Sequence, residues 1–169
     1  SGNYIKGLLL VFPLLLFCCF TFTDCSSGSM IKVGLGETVI TPPVNMLMAG
    51  FARSQVSTGV HDDLHARTLF IEDASGNVAV LMTVSLVGVN RELAGRIREG
   101  IKEKTGITGD KIVITATHTH AGPSVGRGND DGSAYPDLLV AKCIESAVIA
   151  WEKRVPGRIG IGTTEVFEL

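Results

Sequence analysis

The sequence predicts an α/β domain: a mixed β-sheet with packed α-helices and a candidate metal site at the carboxyl edge of its strands. Three observations lead there. Residues 78–84 and 111–116 are β-branched apolar runs separated by an amphipathic stretch, the pattern of a βαβ unit with parallel strands. Residues 66–72 and 78–84 flank Asp-Ala-Ser-Gly-Asn (73–77), a hairpin-type turn that adds an antiparallel pair. Finally, His118 and His120 close the run Ile-Val-Ile-Thr-Ala-Thr, at the edge where open α/β sheets bind ligands.

Residues 8–22 are almost wholly apolar, preceded by Lys6 and followed by Asp-Cys-Ser-Ser-Gly-Ser (24–29). A basic residue, a short apolar core and a small polar exit are the parts of an export signal. At roughly 15 residues the run is short for a membrane span. Residues 1–29 are therefore read as a signal peptide or lipoprotein leader, with Cys25 a candidate for lipid modification and export the expected fate. Met30 is also a natural start for the domain, so a leader lying upstream of the true start is the other reading.

Residues 31–36 alternate apolar side chains with Lys or Gly, as a strand against a core does. Gly34 and Gly36 lack the Gly-Lys-Ser/Thr of a phosphate loop and are read as close-packing positions. Thr41-Pro42-Pro43 ends that element, and residues 44–53 read as loop. A polar cluster, His61, Asp62, Asp63 and His65, precedes the 66–72 strand, which carries Leu69 and Ile71 on one face. A solvated turn accounts for the two aspartates as well as any site does, and a backbone-bonded loop histidine accounts for His61.

Asn90 is a good N-cap, with Glu92 in the first turn beyond it. Leu93, Ile97 and Ile101 then repeat at helical spacing, and Gly106 is the expected C′ residue. Residues 124–134 form a Gly/Asp/Asn-rich loop over the histidine edge. Pro136 suits the first turn of a second helix reaching about Lys153, with Leu139, Cys143, Ala147 and Trp151 as its apolar stripe. Pro156-Gly157 is expected to terminate it, and residues 158–164 read as a last strand.

The totals narrow the function classes. A chain of 169 residues, 45% hydrophobic and 19% charged, is long enough for one domain with a real core. A net charge of −2 supplies no electrostatic footprint for nucleic acid. Of the four cysteines only Cys143 lies beyond the leader, so there is neither an intradomain disulfide nor a Cys-x-x-Cys metal motif. A metal reading rests on imidazoles: in extended geometry His118 and His120, two apart, point to one side, and neutral imidazole is a zinc ligand. Two ligands do not make a zinc site, and two hydrogen-bonded histidines at a strand end are the alternative.

Several blocks, in order, resemble the N-terminal catalytic domain of the neutral/alkaline non-lysosomal ceramidase family, in particular its shorter bacterial members. They are Gly-Leu-Gly-Glu-Thr-Val-Ile-Thr-Pro-Pro (34–43), Met-Ala-Gly-Phe (48–51) and Gly-Val-His-Asp-Asp-Leu-His-Ala-Arg (59–67). Asn-Arg-Glu-Leu (90–93), Ala-Thr-His-Thr-His-Ala-Gly-Pro (116–123) and Gly-Arg-Ile-Gly-Ile-Gly (157–162) complete the set. Thr-His-Thr-His-x-Gly-Pro is the specific block. The resemblance implies that residues 30–169 are the N-terminal, incomplete part of a zinc-dependent amidohydrolase. Such an enzyme splits the N-acyl bond of ceramide-like lipids with zinc-activated water. By resemblance His118 is a zinc ligand, His120 a catalytic residue that helps bind the reacting oxygen, and His61 a candidate neighbour of the site. The resemblance also implies that a further histidine, a glutamate and a tyrosine complete the zinc shell downstream of Leu169. The isolated chain is therefore expected to be inactive and to hold Zn²⁺ weakly. The implied partner is a lipid-like amide, with membrane-surface association through the substrate or a lipid anchor. Two positions depart from the family pattern: Glu37-Thr38-Val39 stands where Arg-Ala-Asp is frequent, and Ser85 where aspartate is. A zinc hydrolase of other amides, esters or lactones, and a non-catalytic binding module, are the rival readings.

Overall fold

The computed structural model describes residues 30–50, 55–125 and 134–164. The leader, Phe51 and most of the 124–134 loop lie outside the described residues.

Five strands form one sheet: β1 (Ile31–Val39), β2 (His65–Glu72), β3 (Val78–Val84), β4 (Ile112–Ala116) and β5 (Val155–Gly157). Their order is β4-β3-β2-β1-β5. The β3–β4 pair is parallel and the other three pairs are antiparallel, so the sheet is mixed as the βαβ and hairpin signals require. The β2–β3 turn is held by Asp73, whose carboxylate accepts from the Ser75 and Asn77 amides and from the Asn77 side chain. These bonds, chiefly the one from the Asn77 side chain, hold the Asp73 carboxyl below its usual range.

Helix α1 (Arg91–Thr105) begins where Asn90 Oδ1 accepts from the Leu93 amide at 2.8 Å, and it ends on Gly106 at φ 77°. It buries Leu93, Ile97 and Ile101, the three positions its periodicity selects. Helix α2 (Tyr135–Glu152) carries proline in its first turn and buries Leu139, Cys143 and Ala147. Trp151 is partly buried against the core, with the Arg154 guanidinium 5.0 Å from its ring centre.

Both helices lie on one face of the sheet. Pairing across β1, β2 and β3 aligns Gly34, Phe70 and Val80 in one row and Gly36, Thr68 and Met82 in the next. The non-glycine members of these rows are buried beneath the helices. The core face of β2 is thus Ala66, Thr68 and Phe70, while Leu69 and Ile71 share the opposite face. Glycine is required in β1 because α2 crosses in contact with the strand backbone. A Cβ at Gly34 would lie 1.8 Å from the Ala150 carbonyl oxygen, and one at Gly36 would lie 1.9 Å from that of Ser146. Their reading as close-packing positions holds.

The C-terminal expectation is corrected. Pro156 and Gly157 do not stop the chain short of a strand but form β5, pairing with Lys32 and Ile31. Residues 158–164 are not a strand, and Ile161 is 92% exposed. The reason is register: Gly157 already faces Ile31, where β1 begins, so a longer β5 has no ladder to join. Alternation alone does not reveal where a neighbour runs out.

Candidate functional site

Because β3 and β4 are parallel and β1 and β2 antiparallel, the ends of β1, β3 and β4 and the start of β2 share one edge of the sheet. The loops beyond β3 and β4 are laced together there. The Thr117 amide donates to the Val84 carbonyl, and the His118 amide to the Leu86 carbonyl, each at 3.0 Å.

His118 is not in strand geometry. β4 ends at Ala116, and His118 has φ 62°, the left-handed region that non-glycine residues seldom occupy. The pairing of both imidazoles on one side of an extended strand is therefore corrected: a backbone reversal, with period-two alternation already ended, brings them together. The rings meet edge to face, with centroids 5.1 Å apart. A positive φ outside glycine is a form of local strain often found at functional sites.

His118 Nδ1 lies 2.8 Å from the Val87 carbonyl oxygen. A carbonyl only accepts, so Nδ1 carries the hydrogen and, in the neutral ring, Nε2 keeps its lone pair. That is the arrangement a metal-ligating histidine uses, one nitrogen held by a backbone acceptor and the other open to a cation. Among the described residues, no group of three or more His, Cys, Asp or Glu side chains converges. His118 has the tautomer that a zinc ligand needs, and the described residues do not by themselves complete a zinc shell.

His120 is half-buried and pressed by the segment before Phe51. Met48 bridges to Pro123, the Ala49 amide donates to the Gly122 carbonyl at 3.0 Å, and the Ser124 amide donates to Leu47 at 2.8 Å. Residues 47–49 thus form a short ladder with 122–124, and the loop predicted at 44–53 contains this pairing.

His61 belongs to a neighbouring feature. It is exposed and pairs with Asp62 at 2.6 Å. A cleft of about 390 Å³ runs beside the histidine loop, walled by His61, Asp62 and Asp63 on one side and Thr119, Ala121, Gly122 and Pro123 on the other. Met46, Met48, Leu64 and Pro42 make its apolar part. Asp63 is more than a solvated turn: it accepts from the Thr41 hydroxyl, which accepts in turn from the Leu64 amide.

His65, the fourth member of the polar cluster, stands at the start of β2, its Nδ1 2.7 Å from Glu37 but not aligned as a hydrogen bond. Arg67 donates to the same carboxylate at 2.9 Å, and that bond, ahead of the nearby positive charges, holds the Glu37 carboxyl below its usual range. Glu37 thus has a role at a position where the family pattern differs. The cross-strand pairing of Glu37 with Arg67 could have been found from β1–β2 register, but not from motif spacing. Thr38, its neighbour, turns inward and donates to the Lys142 carbonyl of α2.

Comparison with known proteins bears on the family and the fold. The model of the neutral/alkaline non-lysosomal ceramidase N-terminal region matches residues 31–168. A neutral ceramidase of Drosophila pseudoobscura pseudoobscura is 35% identical over 105 residues, covering 57% of this chain and 14% of its own length. Neutral ceramidase 3 of Arabidopsis thaliana is 31% identical over 120 residues, 69% of this chain and 16% of its own length. The crystal structure of neutral ceramidase from Pseudomonas aeruginosa superposes on 77% of this chain with a TM-score of 0.68 at 24% identity, using 23% of that protein. The chain spans about one sixth or less of the length of these two curated relatives. On the match across residues 31–168, the chain belongs to the neutral/alkaline non-lysosomal ceramidase family, as part of its N-terminal region.

Proposed function

We propose that this chain is the N-terminal part of an exported, zinc-dependent amide hydrolase acting on ceramide-like lipids. The observation that carries the reading is the His118–His120 pair, with His118 Nδ1 engaged by the Val87 carbonyl, so that Nε2 keeps its lone pair in the neutral ring. Zinc held there would bring Lewis-acid activation of water and of the amide carbonyl at neutral pH. The chain's own residues prepare the reaction. Val87 sets the His118 tautomer, and the φ 62° backbone turns that ring toward its neighbour. His120 supplies a donor to the oxygen of the carbonyl under attack, an interaction that strengthens as negative charge develops there. The cleft beside the loop, apolar along Met46, Met48 and Leu64 and polar at His61, suits a lipid with an amide head. Family membership supports the same substrate class.

The test is zinc content per chain on the protein extended to its natural C-terminus, wild type beside His118→Ala, followed by hydrolysis of a short-chain ceramide. About one zinc in wild type, little in the variant and hydrolysis by the wild type alone is the expected result. Absence of zinc from both would overturn the reading and leave a binding module. Zinc without ceramide hydrolysis would move the substrate to other amides, esters or lactones. The isolated 169-residue chain is expected to retain zinc weakly, since His118 alone does not hold it.

A further inference from the structure

Gly50 stands in the left-handed half of backbone space, at φ 105°, directly against His120. A Cβ placed on it would lie 2.3 Å from His120 Cγ, 2.5 Å from its Cβ and 2.8 Å from its Cα. Ordinary van der Waals contact begins about 1 Å farther out, and the atoms met are the root of the side chain, not a flexible tip. No rotamer change at His120 relieves such an overlap; the residue itself must move. The segment carrying Gly50 has little freedom to retreat. Met48 pairs with Pro123 on one side, and its amide donates to Gln55 on the other, while Ala49 is tied to Gly122.

We infer that Gly50 is a positioning residue for His120: its bare Cα is the wall that sets where the imidazole sits relative to His118. The inference rests on the proposed role of His120 at the reacting oxygen. It differs from a folding role, because backbone strain alone is reproduced elsewhere. Gly76, in the β2–β3 turn, has φ 83° and nothing within 4 Å of its Cβ position. Gly76→Ala therefore carries left-handed strain without the contact.

The experiment uses the full-length zinc-loaded protein and a short-chain ceramide, comparing wild type, Gly50→Ala, Gly76→Ala, His120→Ala and the Gly50→Ala/His120→Ala pair. A misplacement of about 1 Å at a reacting group lowers turnover by about a hundredfold. Gly50→Ala is expected to lower kcat by that order while keeping its zinc and a KM within about threefold of wild type. In the His120→Ala background it should have no further effect on kcat, and Gly76→Ala should leave kcat unchanged. Full turnover in Gly50→Ala would overturn the inference, as would losses that multiply in the double variant. If wild type hydrolyses no ceramide, the functional reading fails and the inference is read from the ¹³Cε1–¹H signal of the His120 ring. A signal shifted by Gly50→Ala and not by Gly76→Ala supports it; one that stays in place overturns it. Should Gly50→Ala fail to fold, His120→Gly is added, since it removes the Cγ and Cβ struck most closely and leaves only the 2.8 Å approach to Cα, which a shift of a few tenths of an ångström relieves. Recovery of folded protein supports the contact as the cause, and no recovery overturns it.

Discussion

Ser146 sits in α2 with no solvent exposure, and its Oγ lies 2.8 Å from Thr68 Oγ1, 3.1 Å from the Gly36 carbonyl and 3.2 Å from the Ala66 carbonyl. One hydroxyl thus joins the helix to two strands through acceptors that water does not reach. Ser146→Ala is expected to lower unfolding free energy by about 1–3 kcal/mol, and Thr68→Val added to it should cost less than in the wild type. Chemical denaturation of the four proteins measures the coupling, and simple additivity would show that the hydroxyls act separately. Cys143 is buried nearby, and burial pushes its thiol up from 9.0 to about 12. The thiolate is therefore disfavoured in the fold, while an unfolded chain ionises near the ordinary value. The stability due to the neutral thiol is complete below pH 9 and declines as pH rises toward 12, with a slope of up to about 1.4 kcal/mol per pH unit. Cys143→Ala should flatten that alkaline decline in denaturation curves taken between those limits. At this scale the candidate site residues were legible: His118 and His120 stand in a short, specific block. The Val87 carbonyl that sets the His118 tautomer was not, because any residue can offer a carbonyl and only the β3–β4 loop contact selects this one.

Among the elements, α1 is the most fully written in local sequence, since cap, stripe and C′ glycine all obey short-range rules. β1 depends on a distant partner. Gly34→Ala and Gly36→Ala each place a methyl inside a carbonyl of α2. They are expected to lower the thermal midpoint by several degrees apiece, against little change for Gly160→Ala, where nothing lies within 4 Å. A differential-scanning comparison decides it; equal small effects would mean that α2 shifts freely over the strand. The missed extent of β5 has the same origin. A strand's length is set by its neighbour as much as by its own alternation, and no local pattern announces that Gly157 falls opposite Ile31, the first residue of β1.

Across the molecule, the sheet face opposite the helices carries an apolar belt. Leu35, Leu69, Leu81 and Val113 stand in one register row across four strands, and Leu35 is 70% exposed. Beside them lie the Glu37–Arg67 pair and the bonded hydroxyls of Thr83 and Thr115. A parallel pair is ordinarily covered on both faces, and a contiguous exposed apolar patch promotes association. The isolated chain is expected to self-associate in sedimentation velocity. Leu35→Lys with Leu81→Lys should return it to monomer with little change in thermal midpoint, whereas association that persists would locate the sticky surface elsewhere.

The sequence by itself determined the mixed α/β class, both helices, the buried stripe of α1 and part of that of α2, the hairpin and the histidine block, because each is encoded in side chains within a few residues of one another. Only the tertiary structure decided the turn at His118, the Val87 acceptor, the press of Gly50 on His120, the glycine contact between β1 and α2, and the end of β5. Each of those depends on an atom brought close from far along the chain, and spacing in one dimension carries no measure of that distance.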